Sequence, residues 1–309
     1  MIRRVMWTPT PLHTLVTPGG LALSVSEKVE ALAGSLEAQF QPVKDPSVPA
    51  VIEVVNEAMR AYTFAPASES YGNQTHGSSR RHLGSQSRQG TRPRGIPNRA
   101  LKHHPPSVVS LFIVLLNAIF RTQYFPAAWK HARLFSILKP GKDPAMPSSY
   151  RTISLLDTIG KLFEKILLSR ILYEVSGRGL LRDEQFGLRP KHSTAVPLAH
   201  LVARVSRNFD ENRLTGAVFL DEAKAFDVVW VDGVLYKLTI LNFPSYIVKT
   251  ISLCLNSQTF KASFQTVTLK LHSFFNEIRL FHHILISSYL CFHSQFYGRR
   301  PLLTFLYHF

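Results

Sequence analysis

The sequence predicts a helix-rich α/β fold, of the α+β kind, on three observations. Apolar residues recur at helical intervals in several long stretches, which indicates amphipathic helices. Only two short apolar runs, residues 132–138 and 215–220, have the length and the flanking turn residues of strands. Hydrophobic residues make up 45% of the 309 residues, which is enough for a core. One large domain or two ordinary ones fit this length.

Six stretches are predicted as helices from their apolar spacing and their end signals. Ser24 and Glu27 have capping-box spacing at the start of the first. The third is expected to end at about Arg121, with Pro126 closing the segment after it, and Pro197 is tolerated only because it stands near the start of the fifth. The six stretches are residues 24–40, 51–61, 107–121, 153–172, 193–208 and a segment from near Asp232 to Pro244.

The charge is strongly positive, with 36 Lys and Arg against 20 Asp and Glu and a formal net charge of +16. Residues 70–142 contain no acid and twelve Lys or Arg. This asymmetry indicates a polyanionic partner, although a solvated linker followed by ordinary exposed lysines would give the same count. Within that stretch, residues 70–94 are rich in Gly, Ser and Arg and are predicted to be a disordered basic linker.

The two cysteines, Cys254 and Cys291, are too few for a disulfide scaffold or a cysteine-rich zinc site. Prolines interrupt the first twenty residues where a signal peptide needs a continuous apolar run, so secretion is not expected. No run of eighteen apolar residues occurs, so we expect no membrane span and no membrane partner. The predicted location is intracellular, in the cytoplasm or the nucleus.

A carboxylate follows the second predicted strand, in the segment FLDEAKAFD. Mg²⁺ usually reaches a protein through one or two carboxylates and the phosphates of its substrate. Asp221 is therefore a candidate metal ligand, and Phe226 is a candidate to pack under the sugar of a nucleotide. The alternative is that Asp221 only caps the next helix and Phe226 lies in the core. The segment alone supports both interpretations equally.

Four segments together resemble the reverse transcriptases of non-LTR retrotransposons, most closely the jockey-like group. They are SILKPGKDPAMPSSYRTISLL, GKLFEK, DEQFGLRPKHST and FLDEAKAFD, and they stand in the order and spacing of the family. The resemblance covers residues 95–268 well and residues 10–69 weakly. It implies a partial right-hand polymerase, with most of the fingers and the first strand and helix of the palm.

The resemblance also implies roles for the residues at matching positions. Asp221 would be the first catalytic aspartate and a ligand of Mg²⁺. The nucleotide would be bound by Lys139, Lys142, Arg151 and Phe226. Contacts to template and primer would come from Gln185, Phe186, Gly187, Arg189 and His192. The partners would be an RNA template, a DNA primer and deoxynucleoside triphosphates, whereas the oligomeric state is not indicated. Each of these side chains has an ordinary alternative as an exposed charge, a helix cap or a core residue.

The sequence also departs from the family. Thr152, Leu188 and Pro197 replace family residues. Each replacement is expected to lower the stability of the fold by about 1–3 kcal/mol where the position is buried or helical. Residues 70–94 and the tail after about residue 268 are typical of out-of-frame text, which indicates a truncated and partly frame-disrupted copy. The aromatic-Ala-Asp-Asp hairpin of the family is not found, and two-metal phosphoryl transfer needs carboxylates from at least two places. The chain is therefore predicted to be catalytically incomplete.

Four parts are expected along the chain. They are an N-terminal helical segment (1–69), the disordered basic linker (70–94), a partial reverse transcriptase domain (95–268) and an irregular, non-homologous C-terminal tail (269–309). A rival hypothesis is a non-catalytic basic nucleic-acid-binding protein, which the charge alone would support. A third is that the incomplete palm leaves a sheet edge exposed, so that the chain aggregates and reaches no stable fold.

Overall fold

The protein is described from a computed structural model, which covers residues 14–39, 49–64, 105–180, 186, 192–216, 230–264 and 267–274. The helices are α1 (Val25–Gln39), α2 (Pro49–Phe64), α3 (Pro106–Thr122), α4 (Thr158–Gly177), α5 (Ala195–Asp210), α6 (Val231–Ile240) and α7 (Ser245–Leu255). The strands are β1 (Leu15–Thr17), β2 (Gly20–Ala22), β3 (His131–Leu138), β4 (Tyr150–Leu155), β5 (Gln258–Phe264) and β6 (Val267–Phe274). Helices around small sheets agree with the helix-rich α/β class.

The larger sheet has four strands in the order β4-β3-β5-β6. β3 pairs antiparallel with β4 and parallel with β5, and β5 pairs antiparallel with β6. Helix α1 covers one face of this sheet. There Val29, Ala33 and Leu36 form a buried cluster with Ala132, Leu134, Leu156 and Phe260. Strands β1 and β2 form a separate hairpin beside α1.

The second and larger core lies among the helices. Phe163 of α4 is fully buried and its ring stacks on Phe120 of α3, with ring centroids 4.8 Å apart. α6 and α7 complete this core with buried Val, Leu and Ile side chains. The N-terminal helix α2 also packs here, because Tyr62 contacts the core and its hydroxyl donates to the Ser245 carbonyl at 3.1 Å.

The predicted capping box at the start of α1 is confirmed. The Glu27 N–H donates to Ser24 Oγ at 3.2 Å, and the N–H groups of Ser24 and Leu23 donate to the Glu27 carboxylate at 3.0 and 2.8 Å. These backbone hydrogen bonds lower the pKa of Glu27 because they stabilise its charged form. The helix therefore begins where the sequence predicted.

The predicted start of one helix is wrong. The helix predicted over residues 153–172 begins only at Thr158, because the residues before it form β4, in which Ile153 lies opposite Phe135 of β3. Pairing with β3 satisfies the backbone groups of this segment, so its helical spacing is overridden. The helix predicted over residues 107–121 is confirmed within one residue at each end, because α3 runs from Pro106 to Thr122 and is followed by Gln123, whose φ of 52° is left-handed.

The other predicted helices are confirmed with ends shifted by a few residues, as is the strand over residues 132–138. Residues 269–274, predicted as the start of an irregular tail, are part of β6. Helix α7, strand β5 and the β1–β2 hairpin were not predicted. The basic linker over residues 70–94 lies outside the described residues, as does most of the strand predicted over residues 215–220. None of the helices in the described part of the chain combines the length and the apolar character needed to cross a membrane.

Candidate nucleic-acid interface

The sheet has a second face, opposite α1, that carries positive charge. Side chains alternate between the faces of a strand, so the packing of Ala132 and Leu134 under α1 places Arg133 on the other side. Lys261 of β5 lies directly opposite Arg133, and Arg151 of β4 lies directly opposite Ile137. We call this surface the basic face; its cations are Arg133, Lys139, Arg151 and Lys261.

The charges of the basic face are not balanced within the sheet. Strands β3, β4, β5 and β6 contain no Asp or Glu. Arg133 and Lys261 face each other across neighbouring strands, and like charges directly opposite destabilise a sheet. A bound polyanion would relieve that repulsion, so the surface favours a phosphate-bearing ligand.

Lys139 and Lys142 lie in the turn between β3 and β4, residues 139–149. The Lys139 N–H donates to the Ser149 carbonyl at 2.9 Å, which continues the ladder and keeps Lys139 on the same face as Ile137 and Arg151. Lys139 Nζ donates to the Ser148 carbonyl at 2.9 Å, so one of its three N–H donors is used within the turn. Lys142 is exposed at the tip, next to Gly141, whose φ is +70°.

Three of the four predicted nucleotide-binding residues are therefore placed in one hairpin. Lys139 and Arg151 share its basic face, Lys142 stands at its tip, and Arg151 is exposed. Phe226, the fourth, lies outside the described residues. So does the predicted catalytic and metal-binding Asp221.

Two of the five predicted template and primer contacts are described. The rings of Phe186 and His192 lie 5.7 Å apart between centroids, and the ring of Phe186 also contacts His200 of α5 edge to face at 5.6 Å. His192 is exposed and Phe186 is half-buried. The structure thus brings these two side chains together, while Gln185, Gly187 and Arg189 lie outside the described residues.

The described part of the chain contains no cluster of metal-ligating side chains. Within the residues that the structure describes, no three His, Cys, Asp or Glu side chains come close enough to hold an ion. The Mg²⁺ prediction therefore continues to rest on Asp221 and its sequence context.

Arg133 and Lys261 were missed by the sequence analysis. In ARLFSIL and QTFKASF they are the only charged residues of their segments. The alternation of side chains along a strand would have placed each of them on the face opposite the apolar residues. The pairing of Arg133 with Lys261 could not be predicted from the pattern of either segment. His131 and Thr259, which are hydrogen-bonded at the start of the same pair of strands, are 128 positions apart.

Comparison with known proteins agrees with the predicted resemblance. Residues 137–279 match the family described as reverse transcriptase (RNA-dependent DNA polymerase). The chain is 39% identical over 150 residues, 48% of its length, to the probable RNA-directed DNA polymerase from transposon BS of Drosophila melanogaster. It is 36% identical over 149 residues to the RNA-directed DNA polymerase from mobile element jockey of Drosophila funebris.

A longer alignment covers most of the chain. It covers 280 residues, or 84% of the chain, at 28% identity to the RNA-directed DNA polymerase from mobile element jockey of Drosophila melanogaster. The chain spans only part of the length of these relatives. It covers 16% of the BS protein, 16% of the jockey protein of Drosophila funebris and 28% of the jockey protein of Drosophila melanogaster. Residues 137–279 thus match the reverse transcriptase family, and the chain is similar to RNA-directed DNA polymerases of mobile elements that include jockey.

Proposed function

We propose that the chain forms the fingers and the first part of the palm of an RNA-directed DNA polymerase from a mobile element. The observation that carries this proposal is the position of Lys139, Lys142 and Arg151 in one hairpin of the segment that matches the family. Its ligands would be an RNA template, a DNA primer and deoxynucleoside triphosphates. As a 309-residue polypeptide, the chain would bind these ligands without extending the primer.

The chemistry of the hairpin supports a triphosphate ligand. The planar guanidinium of Arg151 offers paired N–H donors that match two phosphate oxygens, whereas Lys142 supplies a compact charge on a flexible stem. A triphosphate carries several negative charges, and none of the four strands behind it contains an acid that would repel it. The remaining cations of the basic face would follow the phosphates of the template strand.

Phe186 and His192 support a contact with unpaired template bases. Aromatic rings provide stacking surfaces for bases, at about 1–3 kcal/mol per base. The two rings lie next to each other, and the exposed one, His192, has a face that a base can reach. Contact with template thus remains the role that we propose for this pair.

The lack of extension follows from the carboxylates. Asp221 would hold a Mg²⁺ ion, which supplies charge neutralisation at the reacting phosphate. Beyond it the 309 residues contain only Glu222, Asp227, Asp232 and Glu277, and no adjacent Asp pair. A primer-extension assay with RNA template and Mg²⁺ tests this, and we expect no incorporation. Templated incorporation that disappears in Asp221→Ala would contradict the proposal of an inactive polypeptide.

Binding is tested by titrating a labelled primer–template duplex with a single-stranded RNA overhang at several salt concentrations. We expect Arg151→Gln to weaken binding and to reduce the salt slope by about one unit, because one phosphate contact is lost. Arg207→Gln on α5 is the matched control, since Arg207 is also exposed but lies outside the basic face. Equal affinities for both variants would argue against the hairpin as the binding site.

The absence of acids from strands β3–β6 also favours a second function, a non-catalytic nucleic-acid-binding protein. The two are separated by nucleotide binding. The polymerase fragment should bind a deoxynucleoside triphosphate more tightly in Mg²⁺, and Asp221→Ala should abolish that gain. The binding protein should retain full RNA affinity in Asp221→Ala and show no effect of Mg²⁺ on nucleotide affinity.

A further inference from the structure

The turn between β3 and β4 is tied to a hairpin more than a hundred residues upstream. The Val16 N–H of β1 donates to the Ala145 carbonyl at 2.9 Å. Pro144, the residue before Ala145, is also held, because its carbonyl accepts a hydrogen bond from the Tyr150 hydroxyl at 2.8 Å. Two successive residues of the turn are therefore fixed from outside it.

Tyr150 is itself held by the upstream segment. Its side chain packs against the buried cluster of Leu15, Ala22 and Leu32, which joins the β1–β2 hairpin to α1. Burial raises the pKa of Tyr150, and nearby Asp143 adds to this, so the hydroxyl remains a donor at neutral pH. The hydrogen bond to Pro144 therefore depends on the packing of the Tyr150 ring against the β1–β2 hairpin.

The rest of the turn is ordered by its own hydrogen bonds. The Ala145 N–H donates to Asp143 Oδ1 at 2.9 Å, and Lys139 Nζ holds the Ser148 carbonyl. The tip is closed by the Lys142 N–H, which donates to the Lys139 carbonyl at 3.3 Å, and the exposed side chain of Lys142 follows Gly141 there. The direction of the tip is consequently set by Pro144 and Ala145 on one side and by β3 on the other.

The β1–β2 hairpin is poorly suited to a purely stabilising role. Each of its strands has three residues, and Val16 and Leu21 are exposed, so it buries only Leu15 and Ala22. Its main contact outside α1 is with the turn. We propose that residues 14–32 act as a brace that positions the β3–β4 turn and so presents Lys142 to phosphate. The phosphate part rests on the proposed function, whereas the ordering of the turn does not.

The first test measures the order of the turn alone. Val16→Pro removes the donor to Ala145, and it removes no bond between β1 and β2 because that N–H points out of the hairpin. Trypsin can cut after Lys142 but not after Lys139, which precedes Pro140. We expect cleavage after Lys142 to become about fivefold faster, the change in local opening that loss of one hydrogen bond gives. Val16→Ala keeps the donor and should cleave like the parent.

Cleavage after Arg213, in the exposed segment that follows α5, provides an internal reference that should not change. If Val16→Pro fails to fold, Tyr150→Phe serves instead, because it keeps the ring and removes only the hydroxyl that holds Pro144. Folded Val16→Pro and Tyr150→Phe proteins that are cleaved after Lys142 at the parental rate would overturn the brace.

The second test measures whether the brace acts through Lys142. The probe is a fluorescent deoxynucleoside triphosphate, and the variants are Val16→Pro, Lys142→Gln and the double variant. We expect each single variant to weaken binding severalfold and the double variant to bind no more weakly than Lys142→Gln. A general loss of stability would not produce this dependence on Lys142.

The outcomes separate the brace from the proposed function. If Lys142→Gln binds the nucleotide like the parent, the proposed role of the turn in nucleotide binding fails, and the cleavage rates still decide the brace. If Lys142→Gln weakens binding but Val16→Pro does not, nucleotide binding stands and positioning by the hairpin is refuted.

Discussion

Arg170 of α4 shows how a single charged residue can contribute to the helical core. Its guanidinium carbon lies 3.8 Å from the centroid of the Phe120 ring and 5.6 Å from that of Tyr246, and Nη2 donates to Asn117 Oδ1 at 3.2 Å. One side chain therefore joins α4 to α3 and α7. Contacts of a cation with an aromatic face are worth about 0.5–2 kcal/mol, depending on solvent exposure.

We expect Arg170→Met to lower the free energy of unfolding by about 1–2 kcal/mol. Methionine keeps much of the apolar stem, so the loss reports the charge and the hydrogen bond to Asn117. Urea titration followed by circular dichroism measures it. The control is Arg204→Met on the exposed face of α5, which should stay within about 0.5 kcal/mol of the parent. Equal midpoints for the two variants would show that neither the aromatic contacts nor the hydrogen bond to Asn117 contributes to stability.

Lys237 gives the structure a specific pH dependence. Burial lowers the pKa of Lys237 to about 8, because the charged form is poorly solvated there. Between pH 8 and 10.5 the unfolded chain therefore holds more protons at this site than the folded one. Stability contributed by this site consequently rises with pH across that window.

We expect Lys237→Met to be more stable than the parent at pH 7, with the difference shrinking as the pH rises from about 8 to 10.5. Comparing the two proteins at each pH cancels groups that titrate in both, including buried Cys254, whose pKa is raised by burial. Urea titrations at pH 7, 8.5 and 10 measure the difference. A difference independent of pH would show that the lysine stays protonated in the folded state.

At the scale of elements, two helical glycines predict opposite outcomes for the same substitution. A Cβ added at Gly34 of α1 meets nothing within 4 Å, whereas one added at Gly233 of α6 would lie 2.5 Å from Cε3 of Trp230. Alanine favours a helix over glycine by about 1 kcal/mol. At Gly233 that gain is outweighed because the indole ring must move.

Gly34→Ala should therefore raise the thermal midpoint by a few degrees, and Gly233→Ala should lower it. Each variant is the control for the other, since the chemical change is identical. Differential scanning calorimetry measures both midpoints. Stabilisation by Gly233→Ala would show that Trp230 is free to move away from the helix.

Local signals predicted the elements that depend on local physics. The capping box of α1, the apolar spacing of α3 and the bounded run of β3 each lie within one segment, so the sequence specifies them directly. The segment of β4 carries helical spacing that only its pairing with β3 overrides. The same distinction applies to the site. Lys139, Lys142 and Arg151 lie in one motif and could be proposed from it, whereas Arg133 and Lys261 meet through a parallel pairing that no local pattern reveals.

At the scale of the whole molecule, the N-terminal helices share cores with the segment that matches the reverse transcriptase family. Ala33 of α1 is fully buried against the sheet, in the cluster that contains Phe260. The sheet continues into the helical core, because β3 follows the short helix that contains Trp129 and β5 follows α7. Trp129 packs on Phe163, with ring centroids 6.0 Å apart.

We expect these cores to unfold together, so that a substitution that destabilises α1 also lowers the unfolding midpoint reported by Trp129. Ala33→Glu places a carboxylate in a buried apolar contact, which should cost about 3 kcal/mol. Both tryptophan fluorescence and circular dichroism should then report the same lowered urea midpoint. Ser26→Glu, at an exposed position of the same helix, should leave both midpoints near those of the parent. If fluorescence kept the parental midpoint in Ala33→Glu while circular dichroism showed an earlier transition, α1 would unfold independently, because Trp129 would still report an intact helical core.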